Sequence, residues 1–218
     1  MEFPIVLHPI IALLVTAILI PIIYQIGRAI KFEKLCDVFA IAGFIVAFYT
    51  IYTVYKEIMV VQGSTLNYLI EGFGPPFGVV FSVDSLSVFM AFLFCGLGLM
   101  ATIFSVKYMA EDTGLDKYYT LLFTLVAGMV GVVFAGDFFN LFIFWETMCV
   151  SSYVLVSFRT RNWEPIEAGF KYLVMSTLGT LLALFAMSYL YGLTGTLNLA
   201  LIAQRIGSLE STPLILYF

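Results

Sequence analysis

The stretch FFNLFIFWETMCVSSYVLVSF, Phe138–Phe158, decides the fold class of this chain. It is long enough for one helix to cross the hydrocarbon core of a bilayer, which takes about 20 largely apolar residues. Its one charged residue is Glu146, which lies close to the middle. The stretch therefore predicts a membrane-spanning helix that carries a carboxylate far from either end.

The composition of the whole chain agrees with a membrane protein. Of its 218 residues, 62% are hydrophobic and only 11% are charged, and the mean hydropathy is +1.05. An ordinary soluble domain has about 25% charged residues. The net charge is -4, from 10 basic and 14 acidic residues, so the chain offers no basic surface for nucleic acid. Nucleic-acid binding is excluded.

The same hydropathy argument, applied along the chain, predicts six spans and the beginning of a seventh. The six are Ile5–Ile26, Cys36–Ile58, Asp84–Val106, Lys117–Gly136, Phe138–Phe158 and Ile166–Gly192, and the seventh begins at Pro213. We therefore expect an all-α, polytopic transmembrane bundle in which residues 1–218 form one membrane domain. A half-span ending in lipid would leave backbone groups without partners, so we expect the chain to be a fragment of a longer protein.

The distribution of basic residues predicts the orientation of the spans. With the amino end outside, seven bases face the cytoplasm and two face the other side. The seven are Arg28, Lys31, Lys34, Lys107, Lys117, Arg159 and Arg161, and the two are Lys56 and Arg205. Cytoplasmic loops carry the excess of lysine and arginine, so we expect a multi-pass protein of the cell (inner) membrane with its amino terminus outside.

Two stretches between or after the spans have their own patterns. Residues 60–83 are rich in glycine and proline, which favours an extracytoplasmic hairpin or loop lying over the helices. Apolar residues from Leu197 to Ile206 predict a short amphipathic helix along the membrane interface. Asp84 and Asp137 are expected to cap helices or form turns at the extracytoplasmic edge, with a role in ion entry as the weaker alternative.

No cofactor is predicted from the metal-binding residue types. Cys36, Cys95 and Cys149 lie in or beside apolar runs without paired spacing, so they are expected to be small buried residues. One histidine, His8, cannot supply both axial ligands of a bis-histidine haem. Paired aspartates, a serine–histidine pair and a phosphate-binding glycine motif are also absent from the sequence, so an intramembrane enzyme is not indicated.

Glu146 carries the strongest functional signal. An ionised carboxylate at that depth costs at least about 2.5 kcal/mol unless it faces a partner or a wet cavity. A protonated carboxyl avoids most of this cost, and a neighbouring charge would then control whether it keeps its proton, as in a proton relay. The alternative is a permanently neutral Glu146 that hydrogen-bonds a neighbouring helix and holds the bundle together.

Lys171 lies in the sixth predicted span and allows two interpretations. It is five residues past Ile166, so its side chain can reach the nearby membrane surface. Glu167 precedes it by four residues, in the order that favours an ion pair on one helix face. The residues alone leave an anchoring role and a role in ion movement equally open.

Three passages together resemble a known family. They are FSVDSLSVFMAFLF with SVKYM, then AGDFFNLFIFWETMCVSSYVLVSF, and then GFKYLVMSTLGTLLALFAMSYLYGLTGTLN. These are similar to the amino-terminal part of the antiporter-like membrane subunits, which include the D-type member of Mrp sodium/proton antiporters and relatives in complex I and in archaeal membrane-bound hydrogenases and sulfane reductases.

The resemblance implies a fold of about fourteen spans in two inverted repeats. It also implies that Glu146 and Lys171 are proton-relay residues on a polar axis through the membrane, with other membrane subunits as partners and protons or sodium ions as cargo. We therefore expect an ion-translocating subunit of a redox-driven complex or an Mrp-type antiporter. The competing class is a structural scaffold that binds partner subunits and lipid without an ion path of its own.

Overall fold

The computed structural model describes residues 4–30, 34–60, 65–69, 79–109, 112 and 114–208. Within these residues, six helices are long and apolar enough to cross a membrane. They are α1 (His8–Ile30), α2 (Leu35–Val60), α3 (Ser85–Tyr108), α4 (Leu115–Phe134), α5 (Phe138–Val156) and α6 (Trp163–Thr194). The described residues also form a shorter helix, α7 (Leu199–Ser208), and two strands, β1 (Leu66–Leu69) and β2 (Val80–Val83). The predicted multi-pass helical fold is confirmed.

The ends of the helices differ from the predicted spans by a few residues. α6 begins at Trp163 rather than Ile166 because Pro165 falls in its first turn, where a backbone N–H is not needed. α4 ends at Phe134 because Ala135 is extended and pairs with β2. α1 and α2 each continue past the predicted end, to Ile30 and Val60. The predicted seventh span, from Pro213, lies outside the described residues.

The core of the bundle lies around α4, which packs against α1, α3 and α5. Its largest fully buried side chains include Tyr119, Phe44 and Phe123, and the rings of Phe44 and Phe123 stack with centroids 4.2 Å apart. The three cysteines are buried and free, as predicted. α5 and α6 are much more exposed than the first four helices, so one side of the bundle is open.

Caps and a positive-φ glycine define several helix ends. The Asp84 carboxylate accepts from the Ser87 backbone N–H at 2.7 Å, and that of Asp137 accepts from the Asn140 N–H at 2.7 Å. The prediction that both aspartates are caps is confirmed. α6 ends at Gly195, whose φ of 64° lies in the left-handed region that glycine adopts without strain.

The predicted hairpin is also confirmed for the residues described. β1 and β2 pair antiparallel, and the Gly136 N–H donates to the Val80 carbonyl at 2.9 Å. The Phe138 N–H donates to the Leu197 carbonyl at 3.0 Å, which ties the start of α5 to the segment after α6. We call the region formed by β1, β2, residues 135–137 and residues 195–198 the hairpin end of the bundle.

The opposite end holds the connections from α3 to α4 and from α5 to α6. Arg159 pairs with Asp112 at 2.9 Å, and its guanidinium lies over the Tyr108 ring, 5.2 Å from the centroid. Arg28 and Lys107, in the last turns of α1 and α3, belong to this end as well. The structure thus gathers at one end the bases that were predicted to face the cytoplasm, so far as they are described. That this end faces the cytoplasm stays a prediction.

Candidate functional site

The helix that carries Glu146 is held at its start by Asp137. This side chain is only 2% exposed. One carboxylate oxygen accepts from the Asn140 backbone, and the other accepts from the Val80 N–H at 2.6 Å and from the Asn140 side-chain amide at 3.2 Å. The sequence predicted the cap but not the bond to Val80, because a contact across 57 residues leaves no local signal. Asp137 therefore joins α5 to the hairpin.

Two glycines of α4 fix the middle of α5. A Cβ added at Gly128 would lie 2.8 Å from the Met148 backbone nitrogen, and one added at Gly131 would overlap the Phe144 ring. Met148 and Phe144 flank Glu146 in the sequence. Small residues let membrane helices approach closely, so these two glycines set the position of the segment that carries the glutamate.

Glu146 itself is half-buried on α5, about 12 Å along the axis from Phe138. Among the described residues, its carboxylate makes no hydrogen bond and no ion pair. Tyr153 follows it by seven residues, which is about two turns, and so lies on the same face of α5. A charged side chain in the middle of a membrane helix is costly unless it faces a partner or a wet cavity, which makes the unpaired Glu146 a candidate functional residue.

Lys171 adopts the local pairing that the sequence allowed. Its Nζ lies 2.6 Å from the Oε1 oxygen of Glu167, and its side chain is 72% exposed. The structure does not bring Lys171 and Glu146 together. Because Glu167 precedes Lys171, the ammonium group points toward the beginning of α6.

The packing of α6 on α5 shows how far apart Glu146 and Lys171 lie along the axis of the bundle. A Cβ at Gly169 would lie 2.6 Å from the Ser157 Cβ, and nearer the hairpin end Phe142 and Leu184 line a shared apolar cavity of about 180 Å³. In this antiparallel register, Lys171 is level with the last turn of α5. It is therefore about nine residues, or about 13 Å, along the axis from Glu146.

Hydroxyl groups of α5 and α6 lie between the level of Glu146 and the level of Lys171. The Ser152 hydroxyl lies 3.2 Å from that of Tyr172, and the rings of Tyr153 and Tyr172 meet edge to face with centroids 6.3 Å apart. Further along α6, Thr180 is buried at about the level of Glu146. The region between Glu146 and Lys171 is thus partly polar on both helices.

One buried acid was missed by the sequence reasoning. Asp37, in the first turn of α2, is 9% exposed and accepts from the Tyr119 hydroxyl at 2.7 Å. A lone acid at the start of an apolar run was the available signal, but its partner lies 82 residues away. The bond joins α2 to α4 at the opposite end, and it satisfies a polar group that would be costly to bury alone.

A cavity of about 440 Å³ opens at the hairpin end. Its lining includes Asn67, Ser82, Asp84, Ser87 and Asn198. The backbone N–H of Ser87 lowers the pKa of Asp84, so the carboxylate stays charged at neutral pH. A role of Asp84 in ion entry stays a prediction.

No three His, Cys, Asp or Glu side chains of the described residues lie close enough together to hold a metal ion.

Comparisons with known proteins bear on the identity of the chain. Residues 135–218 match the family described as NADH:quinone oxidoreductase/Mrp antiporter, TM, and residues 73–119 match NADH-ubiquinone oxidoreductase (complex I), chain 5 N-terminus.

Two curated relatives are similar over most of the chain. The D-type member of the Na(+)/H(+) antiporter of Alkalihalophilus pseudofirmus is 30% identical over 80% of this chain and 35% of its own. The N-type member of the NADH-quinone oxidoreductase of Desulforudis audaxviator is 30% identical over 72% of this chain and 31% of its own. The chain spans about a third of the length of the curated relatives it matches.

A solved structure shares the fold. A chain of the membrane-bound sulfane sulfur reductase, an archaeal respiratory membrane complex, superposes with a TM-score of 0.79 at 26% identity, over 91% of this chain and 39% of that one. Sequence and fold agree on the same group of proteins. The chain belongs to the family of antiporter-like membrane subunits, which includes Mrp-type antiporter subunits and NADH-quinone oxidoreductase subunits.

Proposed function

We propose that this chain is part of an ion-translocating, antiporter-like subunit that moves protons, or exchanges sodium for protons, within a multisubunit membrane complex. Its relatives include members of an Na(+)/H(+) antiporter and of an NADH-quinone oxidoreductase, and the antiporter relative supports ion movement as the activity. These relatives do not favour a scaffold without an ion path. Residues 1–218 would form one membrane domain of the longer protein, with the amino terminus outside the cell membrane.

The observation that carries the proposal is the unpartnered carboxylate of Glu146. The α4 glycines and Asp137 hold α5 firmly, so the position of Glu146 is specified by packing. Yet this chain supplies no counter-charge among its described residues. We infer that positive charge supplied from outside these helices controls whether this carboxyl group holds its proton, which is what a relay requires.

Lys171 contributes little of that charge, because its ammonium group is exposed and paired with Glu167 at 2.6 Å. Even an unpaired charge at an axial offset of about 13 Å would attract a carboxylate by no more than about 1 kcal/mol at an effective dielectric constant of about 20. Moving one charge through 100 mV is worth about 2.3 kcal/mol, so the switch also needs a closer positive charge, from a segment of the longer protein outside these helices.

The proposal is tested by Glu146→Gln in the full-length protein within its complex, reconstituted in liposomes with a pH-sensitive dye inside. Glutamine keeps the shape of the side chain but cannot release a proton. Ion-coupled pH change is expected to be lost, while size-exclusion chromatography shows that the complex is assembled.

Glu57→Gln is the matched control, because Glu57 lies near the end of α2 rather than in the middle of a span. It should leave the pH change intact. If Glu146→Gln complexes translocate ions at the unmodified rate, Glu146 is not a relay and the proposed function of this site is wrong.

A further inference from the structure

α5 and α6 present hydroxyl groups to each other between the level of Glu146 and the opposite end of the bundle. Ser152 and Tyr172 hydroxyls lie 3.2 Å apart, and the Tyr153 ring packs edge-on against Tyr172. Gly169 brings α6 close to α5 just beyond them, since a Cβ there would meet Ser157 at 2.6 Å. The polar groups are therefore held near one another by the packing of the two helices.

Tyr153 is placed to connect Glu146 with this hydroxyl pair. It follows Glu146 by seven residues, which is about two helical turns, so both side chains lie on one face of α5. Long helical side chains lean toward the start of their own helix, which carries the Tyr153 phenol back toward Glu146. On its other side, the Tyr153 ring contacts that of Tyr172, with centroids 6.3 Å apart.

We propose that Tyr153 is a proton-relay residue that passes protons between Glu146 and the Ser152–Tyr172 hydroxyl pair, toward the opposite end of the bundle. This inference rests on the proposed function of Glu146. The Tyr153 oxygen forms an O–H bond with the incoming proton as the Glu146 O–H bond breaks. The original phenol proton passes to the Tyr172 hydroxyl as that group's own proton leaves to water at the opposite end of the bundle, with water bridging gaps longer than a hydrogen bond, so Glu146 ends as a carboxylate and each tyrosine ends neutral.

Packing alone is the competing explanation for Tyr153, because its ring would contact Tyr172 equally well without a hydroxyl. Phenylalanine separates the two explanations, since it keeps the ring and removes only the oxygen. A packing role predicts no change in transport for Tyr153→Phe. A relay role predicts slower transport and a proton-transfer step that limits the rate.

The experiment uses the full-length protein in its complex, reconstituted in liposomes, with initial rates of pH change measured in H2O and D2O. Tyr153→Phe is expected to lower the rate by about tenfold or more, a typical loss for a positioned proton-transfer group, and to increase the D2O effect. Tyr191→Phe is the matched control, because Tyr191 lines the apolar cavity near the hairpin end of α6. It should leave both the rate and the D2O effect unchanged.

The outcomes distinguish this inference from the proposed function. If Glu146→Gln is inactive but Tyr153→Phe keeps the unmodified rate and D2O effect, the relay role of Tyr153 is rejected and the role of Glu146 stands. If Tyr191→Phe slows transport as much as Tyr153→Phe, the loss does not depend on the hydroxyl's position and the inference also fails. If both Glu146→Gln and Tyr153→Phe transport normally, the inference and the proposed function fall together.

Discussion

Replacing Gly128 with alanine tests whether α4 fixes the segment that carries Glu146. The new Cβ would lie 2.8 Å from the Met148 backbone nitrogen and 3.0 Å from its Cα. Backbone atoms cannot rotate away as the end of a side chain can, so α5 must move as a whole. Overpacking of this kind costs about 1–3 kcal/mol, while alanine regains about 1 kcal/mol of helix propensity relative to glycine.

Gly96→Ala is the matched control, because Gly96 also lies inside a membrane helix. Its Cβ would meet only the Phe48 ring, at an ordinary 3.8 Å. The propensity gain is common to both variants, so their difference in unfolding free energy isolates the steric cost. Gly128→Ala is expected to be less stable than Gly96→Ala by about 1–3 kcal/mol.

Thermal unfolding of the full-length protein in lipid nanodiscs measures this difference, and transport in liposomes measures its effect on the site. We expect Gly128→Ala to unfold at the lower temperature and to translocate ions more slowly even where it remains folded, because Met148 is two residues from Glu146. Equal unfolding temperatures for the two variants would refute the close approach of α4 and α5.

Two further predictions concern the aspartates of the hairpin end. Asp84→Ala should lower stability by about 1 kcal/mol at pH 7, as loss of a helix cap does. The folded state lowers the pKa of Asp84 through the Ser87 N–H, so this contribution is complete above the unfolded pKa and is lost as the pH falls through the folded one. Acid titration of unfolding should therefore show the variant and the unmodified protein converging below about pH 4. Asp137→Asn should cost about 1–3 kcal/mol, because the Val80 and Asn140 N–H groups donate to different carboxylate oxygens and an amide replaces one of those oxygens with an NH2 group. Hydrogen exchange at Val80 should accelerate if its N–H loses the acceptor.

The fold could be predicted from the sequence wherever the controlling interaction is local. Hydropathy located all six membrane helices because each must satisfy its own backbone in lipid. Asp84 and Asp137 were recognised as caps because a cap bonds an N–H three residues away. The predicted start of α6, Ile166, is three residues late. A hydropathy scan leaves out Trp163 and Glu164, which are interfacial and charged, although both are helical.

Interactions between distant residues could not be predicted in the same way. Asp37 and Tyr119 are 82 residues apart, and no local pattern names one as the partner of the other. The pairing of Lys171 with Glu167 was one of the alternatives that the sequence offered, because the two residues are a helical turn apart. The contact between Gly128 and the Met148 backbone depends on how two helices cross, so a glycine in an apolar run carried no specific signal.

The two residues implicated by family resemblance occupy different places along the membrane normal. α5 has 19 residues and is about 28 Å long, close to the hydrocarbon thickness of about 30 Å, so its two ends mark the two membrane boundaries. Glu146 then lies in the interior, whereas Lys171, level with the last turn of α5, lies at the boundary. α6 has 32 residues, about 48 Å, and extends past both ends of α5, so its first turns, which carry Glu167, lie beyond that boundary and the Lys171–Glu167 pair remains exposed without entering lipid. In the path that we propose, Glu146 would be the interior carrier and Lys171 would lie where protons enter or leave, with the Tyr153 and Tyr172 hydroxyls between them.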